Sequence, residues 1–107
     1  MRFFAHELSL DIVRRLRPVV RILRHHNADL ARQIVKAASS ASLNIPEGNR
    51  REGKDRKYHF RVAAGSTDEA RGVLLTSIAW NFLKEAQTEV VLDKLDHLLA
   101  ILWKLTR

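Results

Sequence analysis

The spacing of apolar residues along the chain predicts four amphipathic α-helices. In the first, apolar side chains recur at steps of three or four residues, which places them on one helical face. These inward positions are Leu8, Ile12, Leu16, Val19 and Leu23. Pro18 removes a backbone donor within this segment, so we expect a kink there or a later start of the helix.

A second helix is predicted from about Ala28 to Pro46, where the proline should end it. Asn27 or Asp29 can cap its first turn by accepting hydrogen bonds from free N–H groups. Its inward positions are small near the centre, which would allow a neighbouring helix to approach closely. They are Leu30, Ile34, Ala37, Ala41 and Ile45.

The third helix is predicted from about Lys54 to Leu83. Gly65 lies in its interior, where a glycine costs about 1 kcal/mol relative to alanine. We therefore expect a close crossing at Gly65, against the alanine-rich centre of the second helix. The inward positions are Phe60, Ala63, Ala64, Ala70, Leu74, Ile78 and Phe82.

A fourth helix follows, with Thr88 as its predicted N-cap. Its apolar seam is formed by Val91, Leu95, Leu98, Leu102 and Leu105. Further apolar side chains widen this face, which indicates either a broad core contact or a subunit interface: Leu92, Leu99, Ile101 and Trp103. The predicted fold class is all-α, an antiparallel up-down four-helix bundle that forms a single domain over residues 1–107.

The amino-acid composition gives the chain a strong positive charge. Nineteen Lys and Arg residues against twelve Asp and Glu residues give a formal net charge of +7, which favours a polyanionic partner such as nucleic acid or an acidic membrane face. The absence of Cys excludes disulfides, thiolate metal sites and a cysteine nucleophile. No apolar run is long enough to cross a bilayer or to act as a signal peptide, so we expect a soluble, cytoplasmic protein.

The positive charge is concentrated in two segments. On the first helix, arginines repeat at steps of three and four residues, roughly opposite the apolar face. We call these residues the arginine stripe: Arg14, Arg17, Arg21 and Arg24. The second segment is the turn cluster between the second and third helices, formed by Arg50, Arg51, Lys54, Arg56, Lys57 and Arg61.

Both segments are candidate sites for nucleic-acid phosphates. Tyr58, His59 and Phe60 are interleaved with the turn cluster and could stack on bases, which would give salt-dependent binding with little sequence preference. The alternative is a solvated start of the third helix, in which Phe60 is a core residue.

Few other residues indicate a catalytic, cofactor or metal site. The glycines match no phosphate-binding loop and the histidines form no ligand pair, so neither a cofactor nor a metal site is expected. Arg21 and His26 form R-x4-H, which resembles the motif of the HEPN ribonucleases, although Ile22 follows the Arg where a polar residue is usual. We favour a solvated helix end for this pair. We interpret Asp68 and Glu69 as helix-surface charges, or Asp68 as a salt-bridge partner for Arg71, rather than as acid–base groups.

The segment from Leu30 to Ser66, LARQIVKAASSASLNIPEGNRREGKDRKYHFRVAAGS, resembles the core of the 23S rRNA-intervening sequence proteins. In that family, L-x-x-Q-x-x-x-A-x-x-S leads to N-I-A-E-G, and a helix with A-x-G-S-x-x-E follows. The matching residues here are Leu30, Gln33, Ala37, Asn44, Ile45, Glu47, Gly48, Arg51, Ala63, Gly65, Ser66 and Glu69. The chain departs from the pattern at Pro46, Asn49 and Arg71.

The resemblance implies an up-down bundle that assembles as a homo-oligomer, with a pentamer expected. The chain is also similar to the accessory variability determinants of diversity-generating retroelements, which are basic pentameric bundles that bind nucleic acid and a reverse transcriptase. We interpret Asn44 and Glu47 as structural, with Glu47 pairing with Arg50 or Arg51 or with free N–H groups of the third helix, and Asn44 bonding across the seam to that helix.

Two functional hypotheses follow, and neither is an enzyme. In the first, a basic homo-oligomer binds RNA or DNA through backbone phosphates at the arginine stripe and the turn cluster. In the second, the oligomer is a scaffold that docks a protein partner, such as a reverse transcriptase. A HEPN-like ribonuclease is the least favoured alternative.

Overall fold

The computed structural model describes residues 3–107, which form four α-helices joined by short connections. Helix α1 spans Phe4–His26, α2 spans Ala28–Arg50, α3 spans Gly53–Ala79 and α4 spans Glu85–Leu105. Each helix packs against the next one along the chain, and α1 packs against α4. This closed arrangement confirms the predicted up-down four-helix bundle, and no strand occurs within the described residues.

The bundle has two ends that the connections define. The α2–α3 connection lies at one end, together with the start of α1 and the end of α4. The α1–α2 and α3–α4 connections lie at the other end. The molecule measures 42 × 22 × 20 Å, and no helix within residues 3–107 is long and apolar enough to span a membrane.

Both prolines lie inside helices, whereas the sequence predicted a kink or a later helix start at Pro18 and a helix end at Pro46. Helix α1 begins at Phe4 and continues through Pro18, and α2 continues through Pro46 to Arg50. The predictions of a later start for α1 and of an end of α2 at Pro46 are therefore wrong. Each proline removes one backbone hydrogen bond. Buried apolar residues before and after Pro18 bind α1 to the core on both sides, and beyond Pro46 the buried Gly48 packs against Phe60 of α3.

The close crossing of α2 and α3 occurs at Gly48, not at Gly65. A Cβ atom on Gly48 would lie 2.8 Å from Cε1 of Phe60, whose side chain is fully buried. Gly65 is exposed, and a Cβ atom there would meet no atom within 4 Å. The prediction for Gly65 is wrong because helical position alone does not show which face of α3 meets α2.

Two further boundaries differ from the prediction. Helix α3 ends at Ala79 rather than Leu83, because Asn81 adopts a left-handed conformation with φ 65° and the chain turns back onto Ser77. Thr88 does not cap α4, since the N-cap is Lys84, whose backbone N–H donates to Gln87 Oε1 at 2.8 Å. The Thr88 hydroxyl instead donates to carbonyls of the first turn and is buried. At α2 the predicted cap is present, with the Leu30 N–H donating to Asn27 Oδ1 at 2.9 Å.

Candidate nucleic-acid interface

The arginine stripe lies on the outer side of α1, next to α2. All four of its arginines are exposed, and none of them forms an ion pair with another described residue. Arg17, Arg21 and Arg24 border a groove whose floor is largely apolar. We call it the basic groove; its floor and α2 wall are formed by Val13, Leu16, Val20, Val35, Ala38 and Ser39.

The turn cluster divides into two groups with different surroundings. Arg50 and Arg51 pair with Glu47, and Arg51 also binds Asp55 at 3.0 Å, so that Arg51 links the end of α2 to the start of α3. Arg56 donates to the carbonyls that end α2 and its guanidinium lies 4.8 Å from the centre of the Phe60 ring. These three arginines are thus engaged in holding the α2–α3 connection.

The second group forms one exposed face of α3. Lys54, Lys57 and Arg61 recur at steps of three and four residues, so they lie on the same side of the helix. They are exposed and have no ion pair among the described residues. Tyr58, whose side chain is 60% exposed, lies on the same side. We call these four residues the α3 cationic face. It ends at Gly65, since the next side chain on that side belongs to Asp68.

The structure separates the two predicted binding segments. Arg24 lies near the start of α2, whereas the turn cluster follows its end, and the 23-residue helix between them places the two about 30 Å apart. Of the three aromatic residues proposed to stack on bases, only Tyr58 is available. Phe60 is fully buried, and His59 Nδ1 lies 3.0 Å from Asn44 Oδ1.

The residues of the family motif concentrate at the seam between α2 and α3. Asn44 reaches His59 on α3 and also donates to the Ser40 carbonyl at 2.9 Å. Ser66 donates to Ser40 Oγ at 2.8 Å, which gives the seam a second polar contact. With the contact between Gly48 and Phe60, these bonds set the separation and register of the two helices.

Glu47 is the acidic centre of the α2–α3 connection. The nearby Arg50 charge, followed by the hydrogen bond from Arg51, lowers the pKa of the Glu47 carboxyl below its usual value. The carboxylate therefore remains charged and bound to both arginines down to a lower pH than a free glutamate would. Glu69 and Gly65 of the same motif are exposed, and a Cβ atom on Gly65 would meet no atom within 4 Å.

Other side chains singled out by the sequence lie apart from these faces. Arg71 pairs with Asp96 of α4 at 2.6 Å, so the alternative pair with Asp68 is wrong, and Asp68 and Glu69 lie exposed on the surface of α3. Arg21 borders the basic groove, whereas the ring of His26 stacks on Phe82 at 5.3 Å. Arg21 and His26 thus do not converge on one site within the chain. No group of three or more potential metal ligands occurs among residues 3–107.

An acidic surface was missed by the sequence analysis. Glu85, Glu89 and Asp93 recur every four residues along α4 and border a groove between α3 and α4. We call it the acidic groove; its remaining lining residues are Leu75, Thr88, Leu92 and Asp96. The spacing of the carboxylates was visible in the sequence, but only the fold shows that this side of α4 borders a groove.

Taken together, the fold and its surfaces define an all-α, up-down four-helix bundle with two separate cationic faces and a polar seam between its central helices. The chain belongs to the 23S rRNA-intervening sequence protein family, whose model matches residues 4–104. No curated protein is similar enough to count as a match.

A solved structure shows the same fold. It is the crystal structure of a protein of unknown function from the S23 ribosomal protein family of Bacteroides thetaiotaomicron VPI-5482. The TM-score is 0.88 at 17% sequence identity, over 96% of this chain and 98% of that chain. At this identity the likeness supports the arrangement of the helices and nothing about binding.

Proposed function

We propose that this protein is a non-enzymatic, basic homo-oligomer, with a pentamer as the expected assembly, that binds RNA or DNA through backbone phosphates. The observation that carries the proposal is the α3 cationic face, where three unpaired cations and an exposed tyrosine share one side of a helix. Cations in such a row can contact successive phosphates without reading the bases.

Helix stability does not account for the positions of Lys54 and Lys57. Lys54 lies in the first turn of α3, where the helix dipole favours negative charge and disfavours cations, and Lys57 follows directly after that turn. Neither has a carboxylate partner among the described residues that would offset this cost. Cations retained at an unfavourable position and left exposed are typical of a surface that meets an anionic partner.

Tyr58 supports a nucleic acid over other polyanions. Its ring is largely exposed, between the cations of the α3 cationic face. Aromatic rings in such settings stack on unpaired bases with little sequence preference, which adds to the binding of the phosphates. The proposed ligand is therefore a single-stranded or locally unpaired nucleic acid.

Assembly would multiply the effect of this small surface. One α3 cationic face offers only three free cations, so a single chain should bind weakly. Several copies in one oligomer would bind a longer strand much more tightly, provided that the strand reaches more than one of them. The family likeness and the exposed apolar residues outside the core support self-association.

The test is RNA binding by the variant Lys54→Glu/Lys57→Glu. We expect the parent protein to bind a mixed-sequence single strand at low salt and to release it at high salt, and we expect the variant to lose this binding. The control is Lys36→Glu/Lys104→Glu, which lowers the net charge by the same amount at two exposed lysines elsewhere. Light scattering on all three proteins shows whether the oligomer is retained.

Two outcomes would contradict the proposal. Equal loss of binding in the control would show that overall charge, and not the α3 cationic face, attracts the strand. Failure of the parent protein to bind RNA or DNA at low salt would refute nucleic-acid binding, and the hypothesis of a protein-docking scaffold would take its place.

A further inference from the structure

Three aromatic rings stack at the end of the bundle where the α1–α2 and α3–α4 connections lie. The Phe82 ring lies 5.3 Å from the His26 ring and 6.2 Å from the Trp80 ring, and its plane is inclined to theirs by 12° and 15° respectively. Nearly parallel rings at these distances have the offset-stacked geometry that aromatic side chains favour. We call Trp80, Phe82 and His26 the aromatic end stack. It joins the end of α1 to the α3–α4 connection.

Hydrogen bonds fix the backbone that carries Trp80 and Phe82. Asn81, which lies between them, adopts the left-handed conformation with φ 65°. The Asn81 N–H donates to the Ile78 carbonyl at 2.8 Å, and the Phe82 N–H donates to the Ser77 carbonyl at 2.9 Å. This pair of bonds is the Schellman motif, which ends a helix in a defined turn. The two rings are therefore held on a hydrogen-bonded turn.

Trp80 is the open member of the aromatic end stack. It is 67% exposed, whereas Phe82 is half-buried and packs against the core. A tryptophan that leaves most of its surface in water contributes little to the hydrophobic core of the chain. A further planar group that stacked on the Trp80 ring would bury part of this surface. The stack is thus preformed to accept an aromatic ring from outside the chain.

The charges at this end of the bundle favour an anionic ligand. Residues 24–28 and 80–84, which include both connections, contain no Asp or Glu. They do contain Arg24 and Lys84, which are exposed and have no ion pair among residues 3–107. These cations repel a cationic ligand, which the face of the Trp80 ring would otherwise attract. A planar ring that carries negative charge matches both the aromatic ring and the cations.

The neighbouring residues do not change this conclusion. The first carboxylates beyond the two connections lie elsewhere, since Asp29 is paired within α2 and Glu85 borders the acidic groove. A lipid surface would need a broad apolar face. Trp80 is instead followed by the exposed, polar Asn81, and it is the large apolar side chain that is exposed within residues 80–84. One exposed ring beside cations fits one planar, anionic ligand.

The aromatic end stack is separate from the α3 cationic face. Arg61, the last cation of that face, lies about 28 Å from Trp80 along the helix axis. A ligand of the size of one nucleotide therefore cannot contact both sites. A site at the aromatic end stack goes beyond the proposed function, because it requires neither the α3 cationic face nor an oligomer.

We propose that the aromatic end stack binds a nucleobase that carries a phosphate. The base stacks on the Trp80 ring and extends the stack of Phe82 and His26, and Lys84 and Arg24 attract the phosphate. The base has to be unpaired, because both faces of a base inside a duplex are already covered by its neighbours. An unpaired nucleotide of a nucleic acid and a free nucleotide share this chemistry, and binding measurements distinguish the two.

Tryptophan fluorescence tests the site, because a base that stacks on an indole ring quenches its emission. The chain has two tryptophans, so Trp103→Phe leaves Trp80 as the single reporter. We expect a single strand of about eight adenylates, within the range of one small site, to quench Trp80. Inorganic polyphosphate, which has phosphates but no bases, should not quench it.

The matched control is Trp80→Phe, whose remaining tryptophan, Trp103, lies near the other end of the bundle. Both reporter variants also carry Lys54→Glu/Lys57→Glu, so that a strand bound at the α3 cationic face does not contribute. We expect the strand to leave the emission of Trp103 unchanged in this control. Circular dichroism shows that each variant remains helical.

Adenosine monophosphate distinguishes the two sources of the base. Quenching of Trp80 by the monophosphate, at nucleotide concentrations no higher than those needed with the strand, would identify a free nucleotide as the ligand. A requirement for the strand would identify an unpaired base of a nucleic acid. Trp80→Ala should weaken binding of the ligand so identified by about 5- to 150-fold, as expected for the loss of one stacked base. Fluorescence anisotropy of the labelled ligand measures this loss.

Three results would overturn the proposal. Emission of Trp80 that neither the strand nor the monophosphate changes would show that no base stacks there, and equal quenching by polyphosphate would show that charge alone acts. A Trp80→Ala variant that binds as tightly as the parent would exclude the ring from the site. A fall in the mass of the parent oligomer on Trp80→Ala, measured by light scattering, would show that a second copy covers Trp80.

The proposed function fails by a different result. Loss of strand binding in Lys54→Glu/Lys57→Glu tests the α3 cationic face in a protein that retains Trp80. The quenching of Trp80 is measured in proteins that lack Lys54 and Lys57. Each site can therefore be refuted while the other stands.

Discussion

At the scale of single residues, Gly48 and Phe60 decide how closely α2 and α3 pack. The Phe60 ring occupies the space that a side chain at position 48 would need, and it is itself covered by Arg56 and the ring of Phe3. A glycine in a helix normally costs stability relative to alanine. Here it is required because the facing ring has no exposed side toward which it could move.

The two helical glycines Gly48 and Gly65 allow a matched prediction. We expect Gly48→Ala to lower the free energy of unfolding by about 1–3 kcal/mol, because overpacking against Phe60 outweighs the gain in helix propensity. Gly65→Ala should raise it by about 0.5–1 kcal/mol, since its Cβ atom meets nothing. Urea denaturation of both variants measures the difference, and equal effects of the two substitutions would contradict the assigned crossing point.

Glu47 provides a prediction about pH. Its depressed pKa means that the folded state favours the charged carboxylate, so this contribution to stability is present at neutral pH and is lost as the pH falls through the folded-state pKa. We expect Glu47→Gln to lower the melting temperature at pH 7, and we expect this difference to shrink and vanish as the pH falls below the folded-state pKa of Glu47. Glu69→Gln, at an exposed glutamate without an ion pair among the described residues, should leave the pH profile unchanged. A Glu47→Gln deficit that persists in acid would show that shape, not charge, matters there.

At the scale of helices, the seam between α2 and α3 is specified by polar contacts as well as by small residues. Asn44 and His59 bond across it near the α2–α3 connection, and Ser40 and Ser66 bond across it two turns away from His59. The alanines between these contacts allow close approach but would tolerate sliding of one helix along the other. Hydrogen bonds at two levels select one register.

A double-mutant cycle tests this polar seam. We expect Asn44→Ala and His59→Ala each to lower the free energy of unfolding by about 0.5–1.5 kcal/mol, the usual net value of one hydrogen bond. The double variant should cost less than the two single variants combined, because the interaction can be lost only once. Strictly additive losses in thermal or urea unfolding would mean that the two side chains do not stabilise the seam together.

At the scale of the whole molecule, the net charge of +7 is distributed unevenly. Several arginines are engaged within the chain, at the α2–α3 connection and between helices. Rows of unpaired cations lie on two faces, the arginine stripe and the α3 cationic face, and the acidic groove lies opposite the arginine stripe.

The salt dependence of binding follows from this distribution. Three free cations on the α3 cationic face should release counterions on binding a single strand, which gives a slope of log affinity against log salt of about −2 for a site on one chain. Lys54→Gln should reduce the slope by about 0.7. Titration of a short single strand at several salt concentrations measures both values. A slope that Lys54→Gln leaves unchanged would exclude Lys54 from the phosphate contacts.

The sequence by itself determined the helices and the architecture. Apolar residues at helical spacing specify which side of each segment is buried. Four such segments joined by short connections can bury their apolar faces together in an up-down bundle. The predicted inward positions of α1 are all buried. The positions of the cations along the helices could also be predicted from the sequence, because charge and spacing are properties of the chain alone.

Only the tertiary structure decided which of these residues are free to act. Arg51 and Lys54 look alike in the sequence, but Arg51 is paired with Glu47 and Asp55 whereas Lys54 projects unpaired from the first turn of α3. Similarly, the close contact that the sequence predicted at Gly65 occurs at Gly48. Pairing and close approach depend on contacts between helices, whose relative rotation and height are set by the packing of the whole bundle. The same packing places the basic and acidic grooves on opposite faces of the bundle.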